Sequence, residues 1–146
     1  MTFTDYALRV LLFVATAPAG RATIADVART YRISENHVVK VVHWLGKQGV
    51  LANSRGRGGG LRLACEPKLI NVGRIVRIAE QPTALVECFA PTGDCAITGA
   101  CRLAGALSQA HAAFYEVLDG FTLADLLANP RRMTRILHAT TTMENA

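Results

Sequence analysis

Two short helical segments, each preceded by a good helix-capping residue, dominate the N-terminal third of the chain. Thr23 can cap a helix over Ile24–Tyr31, and Ser34 can cap a second one over Glu35–Lys47. Apolar residues recur three and four positions apart in both segments, as helices with one buried face require. Only residues 32–34 separate the two. Two short helices joined by so short a turn predict a helix-turn-helix.

The second of these helices divides into an apolar face and a polar remainder. Its core face is expected to hold the residues at i, i+3, i+4 and i+7, namely Val38, Val41, Val42 and Leu45. The polar residues left for the other faces are Asn36, His37, Lys40, His43 and Lys47. We expect this helix to enter the major groove of DNA with Ser34, at its positive end, facing a phosphate. The predicted base or phosphate contacts are Asn36, His37 and Lys40.

A glycine-rich hairpin follows. Residues 50–52 and 61–63 are typical of strands, and S-R-G-R-G-G-G at 54–60 supplies a tight loop between them. A helix-turn-helix followed by a basic hairpin describes a winged helix, in which Arg55 and Arg57 reach the minor groove or the DNA backbone. The predicted fold class is mainly α with a small β-hairpin wing, combining a winged helix-turn-helix domain with a long dimerisation helix.

Helices on either side complete the predicted DNA-binding domain. Thr4 and Asp5 indicate the start of a helix, the apolar run Tyr6–Ala17 follows and ends at Pro18, and Asn71 can cap a helix over Val72–Glu80. With 146 residues, 51% of them hydrophobic, the chain can bury one proper core. We therefore expect residues 1–80 to form one winged helix-turn-helix domain.

The positive charge lies in that half of the chain. Residues 1–77 hold 12 Lys and Arg against 4 Asp and Glu, whereas residues 78–146 hold 4 against 7. A basic surface of this kind indicates a polyanionic partner, either nucleic acid or an anionic membrane. Arg9 interrupts the most apolar stretch, which also lacks the start and cleavage site of a signal peptide. We expect a cytoplasmic protein with no membrane partner.

Three cysteines, Cys88, Cys95 and Cys101, lie in the loop-like stretch C-F-A-P-T-G-D-C-A-I-T-G-A-C. Thiolates are soft donors that suit Zn, Cu(I) or an iron-sulfur cluster, and a reducing cytoplasm disfavours structural disulfides. Residues 81–101 are thus predicted to be a cysteine-rich metal-binding loop that lacks a fourth ligand. Cys65 lies in a strand-like run and is predicted to be a small buried hydrophobic residue instead of a metal ligand.

Residues 102–146 are predicted to hold a dimerisation helix and shorter C-terminal helices. The helix over residues 102–118 has one long apolar face made of Leu103, Ala106, Leu107, Ala110, Phe114, Val117 and Leu118. A helix with so much apolar surface needs a partner. Shorter helices are expected over residues 123–128 and 131–138, followed by a loosely ordered tail.

Four features together resemble the Rrf2 family of winged-helix iron-sulfur repressors: F-T-D-Y-A-L-R at 3–9, I-S-E-N-H-V-V-K-V-V-H-W-L at 33–45, R-G-R-G-G-G-L-R-L at 55–63, and the three cysteines. The resemblance runs over nearly the whole chain. Within the family, L-V-E-C-F at 85–89 and F-T-L-A-D-L at 121–126 are similar to the nitric-oxide-responsive NsrR branch more than to the IscR branch.

The resemblance implies a homodimer whose long helices cross, and a cluster held by Cys88, Cys95 and Cys101. The implied cluster is 4Fe-4S, with 2Fe-2S as the alternative. IscR-like members use a histidine three positions after the last cysteine, but Ala104 stands there in this chain. The NsrR resemblance points instead to Asp5 from the partner subunit as the fourth ligand. Asp94, Glu87 and His111 are weaker candidates.

The function implied is that of a nitric-oxide-responsive repressor, not an enzyme. Nitrosylation of the cluster would release an inverted-repeat operator and derepress nitrosative-stress genes. Alternatives are an IscR-like regulator that senses redox or iron-sulfur status, a zinc-binding or cofactor-free regulator, and an iron-sulfur electron-transfer protein. The last is disfavoured because the sequence has no second cluster motif, whereas it has a complete winged-helix pattern.

Overall fold

The computed structural model of the chain describes residues 1–54, 56, 59–80, 86, 89, 93, 95–97 and 99–139. The elements within these residues, in chain order, are α1 (Thr2–Ala15), α2 (Ile24–Tyr31), α3 (Glu35–Lys47), β1 (Leu51–Ser54), β2 (Gly60–Leu63), α4 (Val72–Glu80), α5 (Arg102–Asp119), α6 (Leu123–Leu126) and α7 (Pro130–Leu137). Short 3₁₀ turns cover Pro18–Gly20 and Pro67–Leu69. The predicted class, mainly α with a small hairpin, is confirmed.

The helix-turn-helix has the predicted caps. The Thr23 side chain accepts a hydrogen bond from the Asp26 backbone N–H at 3.1 Å, and the Ser34 side chain accepts one from the His37 N–H at 3.4 Å. Arg32 ends α2 in the left-handed conformation with φ 54°. These local features set the bounds of α2 and α3 where the sequence predicted them.

The core forms where α1 crosses α2 and α3. Five side chains of α1 are buried against it, namely Ala7, Val10, Leu11, Phe13 and Val14. The four predicted core residues of α3 are at most 5% exposed. Burying a Val, Leu or Phe side chain contributes roughly 1.5–3 kcal/mol. The prediction placed the start of α1 two residues too late, because the helix begins at Thr2 with no side-chain cap.

The wing is an antiparallel pair in which Leu51 faces Leu63 and Ser54 faces Gly60. Leu61, 1% exposed, anchors it to the core, and backbone hydrogen bonds of 2.7 and 3.0 Å join Leu61 to Ala22. Gly60 has φ +144°, and a Cβ there would lie 2.8 Å from the Ala22 carbonyl oxygen. This strand start therefore requires glycine. The predicted wing contacts Arg55 and Arg57 lie outside the described residues.

The C-terminal helices return to the same core. Leu123 at the start of α6 is 1% exposed, and Thr122 and Asp125 form a capping box before it. His138, which follows α7, is 6% exposed; its Nε2 lies 3.2 Å from Thr16 Oγ1, and its ring packs on Phe13. Burial lowers the pKa of His138 below its usual value. Among the described residues, no helix is both long and apolar enough to cross a membrane.

Candidate nucleic-acid interface and cysteine segment

The exposed side of α3 carries the residues predicted to contact DNA. Ser34, Asn36, His37 and Lys40 are all exposed, as are His43 and Lys47 further along the helix. The outermost line of α3, opposite its buried valines, has the helical spacing of three and four residues and consists of Asn36, Lys40, His43 and Lys47. This line is polar and positively charged, which suits a DNA groove.

His37 lies instead on the flank of α3 that faces α1. Its Nδ1 is 3.0 Å from the Ser34 Oγ, and its ring centre is 6.0 Å from that of Tyr6. On the same flank the Trp44 ring meets Phe3 edge to face, with centres 5.3 Å apart. Aromatic contacts thus join the first two turns of α1 to α3.

Val39 is an exposed residue of α3 that was predicted neither as a core residue nor as a DNA contact. It is 47% exposed although it is apolar and β-branched, and it borders the outermost line next to Asn36 and His43. The sequence already indicated that Val39 is exposed, because it is the one valine of α3 outside the predicted core pattern. A β-branched residue slightly disfavours a helix and gains nothing from this exposed position in the fold.

Asp5 lies in the first turn of α1, beside the residues that contact α3. Its Oδ1 accepts a hydrogen bond from Arg9 Nε at 2.8 Å, and both side chains are about half exposed, at 48% and 42%. Arg9 in turn lies 5.6 Å from the centre of the Tyr31 ring, and burial raises the pKa of Tyr31 to about 12. The neighbouring Thr4 hydroxyl donates to Glu80 at the end of α4. Asp5 is therefore accessible on a helix end that is well fixed.

Two of the three loop cysteines are described. Cys95 and Cys101 are half-buried, and Cys101 immediately precedes α5. Cys88, Glu87 and Asp94 lie outside the described residues, and His111 is exposed beside Tyr115. Within the part of the chain that the structure describes, no three His, Cys, Asp or Glu side chains are grouped as metal ligands. Cys65 packs against the core as predicted, but it is half-buried instead of fully buried.

The apolar residues predicted for α5 lie on one face of the helix, and the rest of the chain covers that face only in part. Leu107, Tyr115 and Leu118 are half-buried, on the side where Tyr115 contacts Arg77 of α4. The rest of this face is open, with Leu103 64%, Phe114 41% and Val117 62% exposed. Its line of alternating three- and four-residue steps consists of Leu103, Ala106, Ala110, Ala113 and Val117. That spacing is the a/d pattern of paired helices.

The family model of Rrf2, the iron-dependent transcriptional regulator, matches residues 1–129. The chain belongs to the Rrf2 family. It is 44% identical to the HTH-type transcriptional regulator NsrR of Shouchella clausii over 97% of this chain and 96% of that one. The NsrR of Geobacillus kaustophilus is 47% identical over 92% and 93% of the two chains. Among solved structures, CymR, the global cysteine regulator of B. subtilis, matches with a TM-score of 0.67 and 29% identity over 86% and 93%.

The family membership agrees with the winged-helix fold of the chain. The chain is a helix-turn-helix transcriptional regulator of the Rrf2 family, and its relatives are regulators, not enzymes. The winged-helix fold inferred from the caps and the glycine-rich hairpin is confirmed. The individual DNA contacts and metal ligands stay predictions.

Proposed function

We propose that this regulator is a nitric-oxide-responsive repressor that binds operator DNA as a homodimer while it carries an iron-sulfur cluster. Nitric oxide then releases the operator and derepresses nitrosative-stress genes in the cytoplasm. The observation that carries the proposal is the packing of α1 on α3, because it joins Asp5 to the helix predicted to contact DNA. Identities of 44% and 47% to two NsrR proteins support it.

The cluster ligands we propose are Cys88, Cys95 and Cys101 of one subunit and Asp5 of the other. The donor chemistry of the described cysteines fits, because half-buried thiols such as Cys95 and Cys101 can supply the soft thiolates that iron-sulfur clusters require. The bound group, 4Fe-4S or alternatively 2Fe-2S, would supply iron that reacts with nitric oxide.

Asp5 connects ligand binding to the position of the DNA-contacting helix. Its carboxylate is paired with Arg9, so a ligand role means exchanging that ion pair for a bond to iron. Its neighbours on α1, Phe3 and Tyr6, contact Trp44 and His37 of α3. A change at Asp5 is therefore passed to α3 through packed rings, since close-packed side chains transmit displacement.

DNA reading is assigned to the two winged-helix domains of the dimer. In the proposed division, residues 1–80 bind DNA, 81–101 hold the cluster and 102–146 form the dimerisation helix and C-terminal helices. Asn36 and Lys40 are exposed on the outermost line of α3, where base and phosphate groups can be reached. The other proposed contacts are Ser34 at the helix start, the exposed His37 on the flank of α3, and Arg55 and Arg57 in the predicted wing. Two-fold symmetry then predicts an inverted repeat.

The experiment is an anaerobic DNA-binding titration of cluster-loaded protein, with an operator selected from a randomised DNA pool. Nitric oxide at a few equivalents per cluster is expected to abolish binding. Equal affinity of the cluster-free, nitric-oxide-treated and loaded forms would contradict the proposal. Release by oxidants or iron depletion, with no response to nitric oxide, would favour the IscR-like alternative.

Val39 is expected to contact a thymine methyl in the major groove. Apolar side chains recognise thymine by its C5 methyl, and a buried CH₂ is worth about 0.8 kcal/mol, or roughly fourfold in affinity. Replacing one thymine per half-site with deoxyuridine should weaken wild-type binding by about that factor per half-site. Val39→Ala should weaken binding to the thymine operator and lose the sensitivity to uracil. Fluorescence anisotropy with each substituted duplex measures both effects.

The matched control is Lys40→Ala on the neighbouring position. It should weaken binding to the thymine and uracil duplexes equally and reduce the salt dependence of the affinity, because lysine pairs with phosphate as a point charge. A uracil effect that persists at full size in Val39→Ala would show that another group contacts the methyl.

A further inference from the structure

The end of α5 is fixed to α4 by an ion pair with two parallel hydrogen bonds. Arg77 Nη1 donates to Asp119 Oδ1 at 2.6 Å, and Nη2 donates to Asp119 Oδ2 at 2.5 Å. The same guanidinium lies 4.7 Å from the centre of the Tyr115 ring, one turn earlier on α5. The hydrogen bonds from Arg77 hold the pKa of Asp119 below its usual value. Arg77 therefore contacts two successive turns of α5.

Asn71 ties the two helices at a second point. Its Oδ1 accepts a hydrogen bond from the Arg74 N–H at 2.8 Å, which caps α4, while its Nδ2 donates to the Asp119 carbonyl oxygen at 2.7 Å. Backbone hydrogen bonds from Val72 N–H to the Phe121 carbonyl and from Leu123 N–H to the Ile70 carbonyl flank this contact. The start of α4 and the end of α5 thus cap each other.

Gly73 allows the helices to approach this closely. A Cβ at this position would lie 2.1 Å from Asp119 Oδ1 and 2.7 Å from the Asp119 backbone nitrogen. Any side chain there would push α5 away from α4. Asn71, Gly73 and Arg77 thus all converge on Asp119, the last residue of the helix. We name these residues, with Tyr115, the α4–α5 joint.

The joint fixes the orientation of α5 relative to α4 more than it adds to the free energy of unfolding. Arg77 and Asp119 are 47% and 41% exposed, and ion pairs so exposed add little to the free energy of unfolding. A guanidinium with two hydrogen bonds to one carboxylate does, however, fix the angle between its partners, because the planar groups must stay aligned. The buried face of α4, with Val72, Ile75 and Val76, belongs to the DNA-binding half of the chain. The joint therefore sets how α5 leaves that half.

We propose that the α4–α5 joint fixes the distance and rotation between the two DNA-contacting helices of the dimer, and so selects the spacing of the operator half-sites. Arg77 is the positioning residue. The inference rests on the proposed dimer through α5. If α5 forms the shared interface, the angle between α4 and α5 at Asp119 determines where the α3 helix of each subunit lies. A small change of this angle then causes a larger displacement of α3 at the DNA.

The test uses full-length, cluster-loaded protein under anaerobic conditions and a series of inverted repeats. The selected operator is varied by one and two base pairs in the spacer, and affinities are measured by fluorescence anisotropy. One base pair rotates a half-site by roughly 35°, so wild-type protein should prefer one spacing by about tenfold or more. Arg77→Ala should reduce that preference to below about threefold, mainly by weakening binding to the favoured spacing.

Arg74→Ala is the matched control, because it removes the same charge from the same exposed side of α4 but leaves the joint intact. It should retain the full spacing preference. Arg77→Lys keeps the charge without the two-point geometry and should lose the preference as Arg77→Ala does. The charge-reversed pair Arg77→Asp with Asp119→Arg should recover part of it. Circular dichroism and mass measurements confirm that each variant is folded and of wild-type oligomeric state.

Three outcomes would overturn the inference. If Arg77→Ala and Arg77→Lys kept the full spacing preference, the proposed role of the joint would be rejected, and the proposed function would be unaffected. Uniform weakening over all spacings, with a smaller salt dependence, would make Arg77 a phosphate contact instead of a positioning residue. If the wild-type protein were monomeric, or bound all spacings equally, both the proposed function and the proposed role of the joint would be rejected.

Discussion

Cys95→Ala and Cys101→Ala should each abolish cluster binding and reduce specific operator affinity by about 10³-fold or more, to the level of non-specific DNA binding. An iron-sulfur cluster takes cysteine thiolates as ligands, and alanine offers no donor atom. Cys101 directly precedes α5, so its thiolate, as a cluster ligand, would also hold the start of that helix. Iron and sulfide content, measured anaerobically beside the DNA-binding assay, checks both consequences.

Cys65→Ala is the matched control for these variants. Cys65 is half-buried at the edge of the core, in a chain position away from the cysteine segment, so its loss should cost stability and leave iron content unchanged. Asp5→Ala should give an intermediate result, with a cluster that forms but is lost faster. Operator binding at wild-type affinity by Cys95→Ala and Cys101→Ala would instead identify a regulator that needs no cofactor.

Local chemistry made the DNA-binding half predictable from sequence. Caps act within three residues, so Thr23 and Ser34 specified the starts of α2 and α3. Periodicity identified the buried face of α3 for the same reason, since it depends only on neighbouring turns. Three of the motifs that carry the family resemblance lie in this half of the chain, and the family is confirmed by the match over residues 1–129.

Contacts between distant segments were not predictable. Nothing in the local pattern joins Arg77 to Asp119, or requires glycine at position 60 because Ala22 approaches it. Which part of the apolar face of α5 is covered by α4 was not predictable for a related reason. Its apolar residues span a wide arc, and which of them contact α4 depends on the crossing of the two helices. His138 likewise joins the core through Thr16, which no spacing rule connects to it.

Val117→Glu should convert the dimer into a monomer and weaken binding to the inverted repeat by about 10² to 10⁴-fold. Val117 is 62% exposed at one end of the open a/d line of α5, and Ala106, Ala110 and Ala113 leave room for a second helix to approach closely. A glutamate on that line would bury an unpaired charge in the interface. Losing the second subunit removes the high effective concentration of the second DNA-binding domain. Sedimentation equilibrium and anisotropy measure the two effects.

Ala112→Glu is the control, because it adds the same charge to an exposed position about 140° around the helix from Val117. It should leave both the mass and the affinity unchanged. Helix content by circular dichroism should be equal in the two variants, since none of the residues of α5 is buried within one subunit. A Val117→Glu protein that remains dimeric would place the subunit interface on another surface. The open face of α5 would then be expected to bind a different partner, because soluble proteins rarely leave a contiguous apolar surface exposed to water.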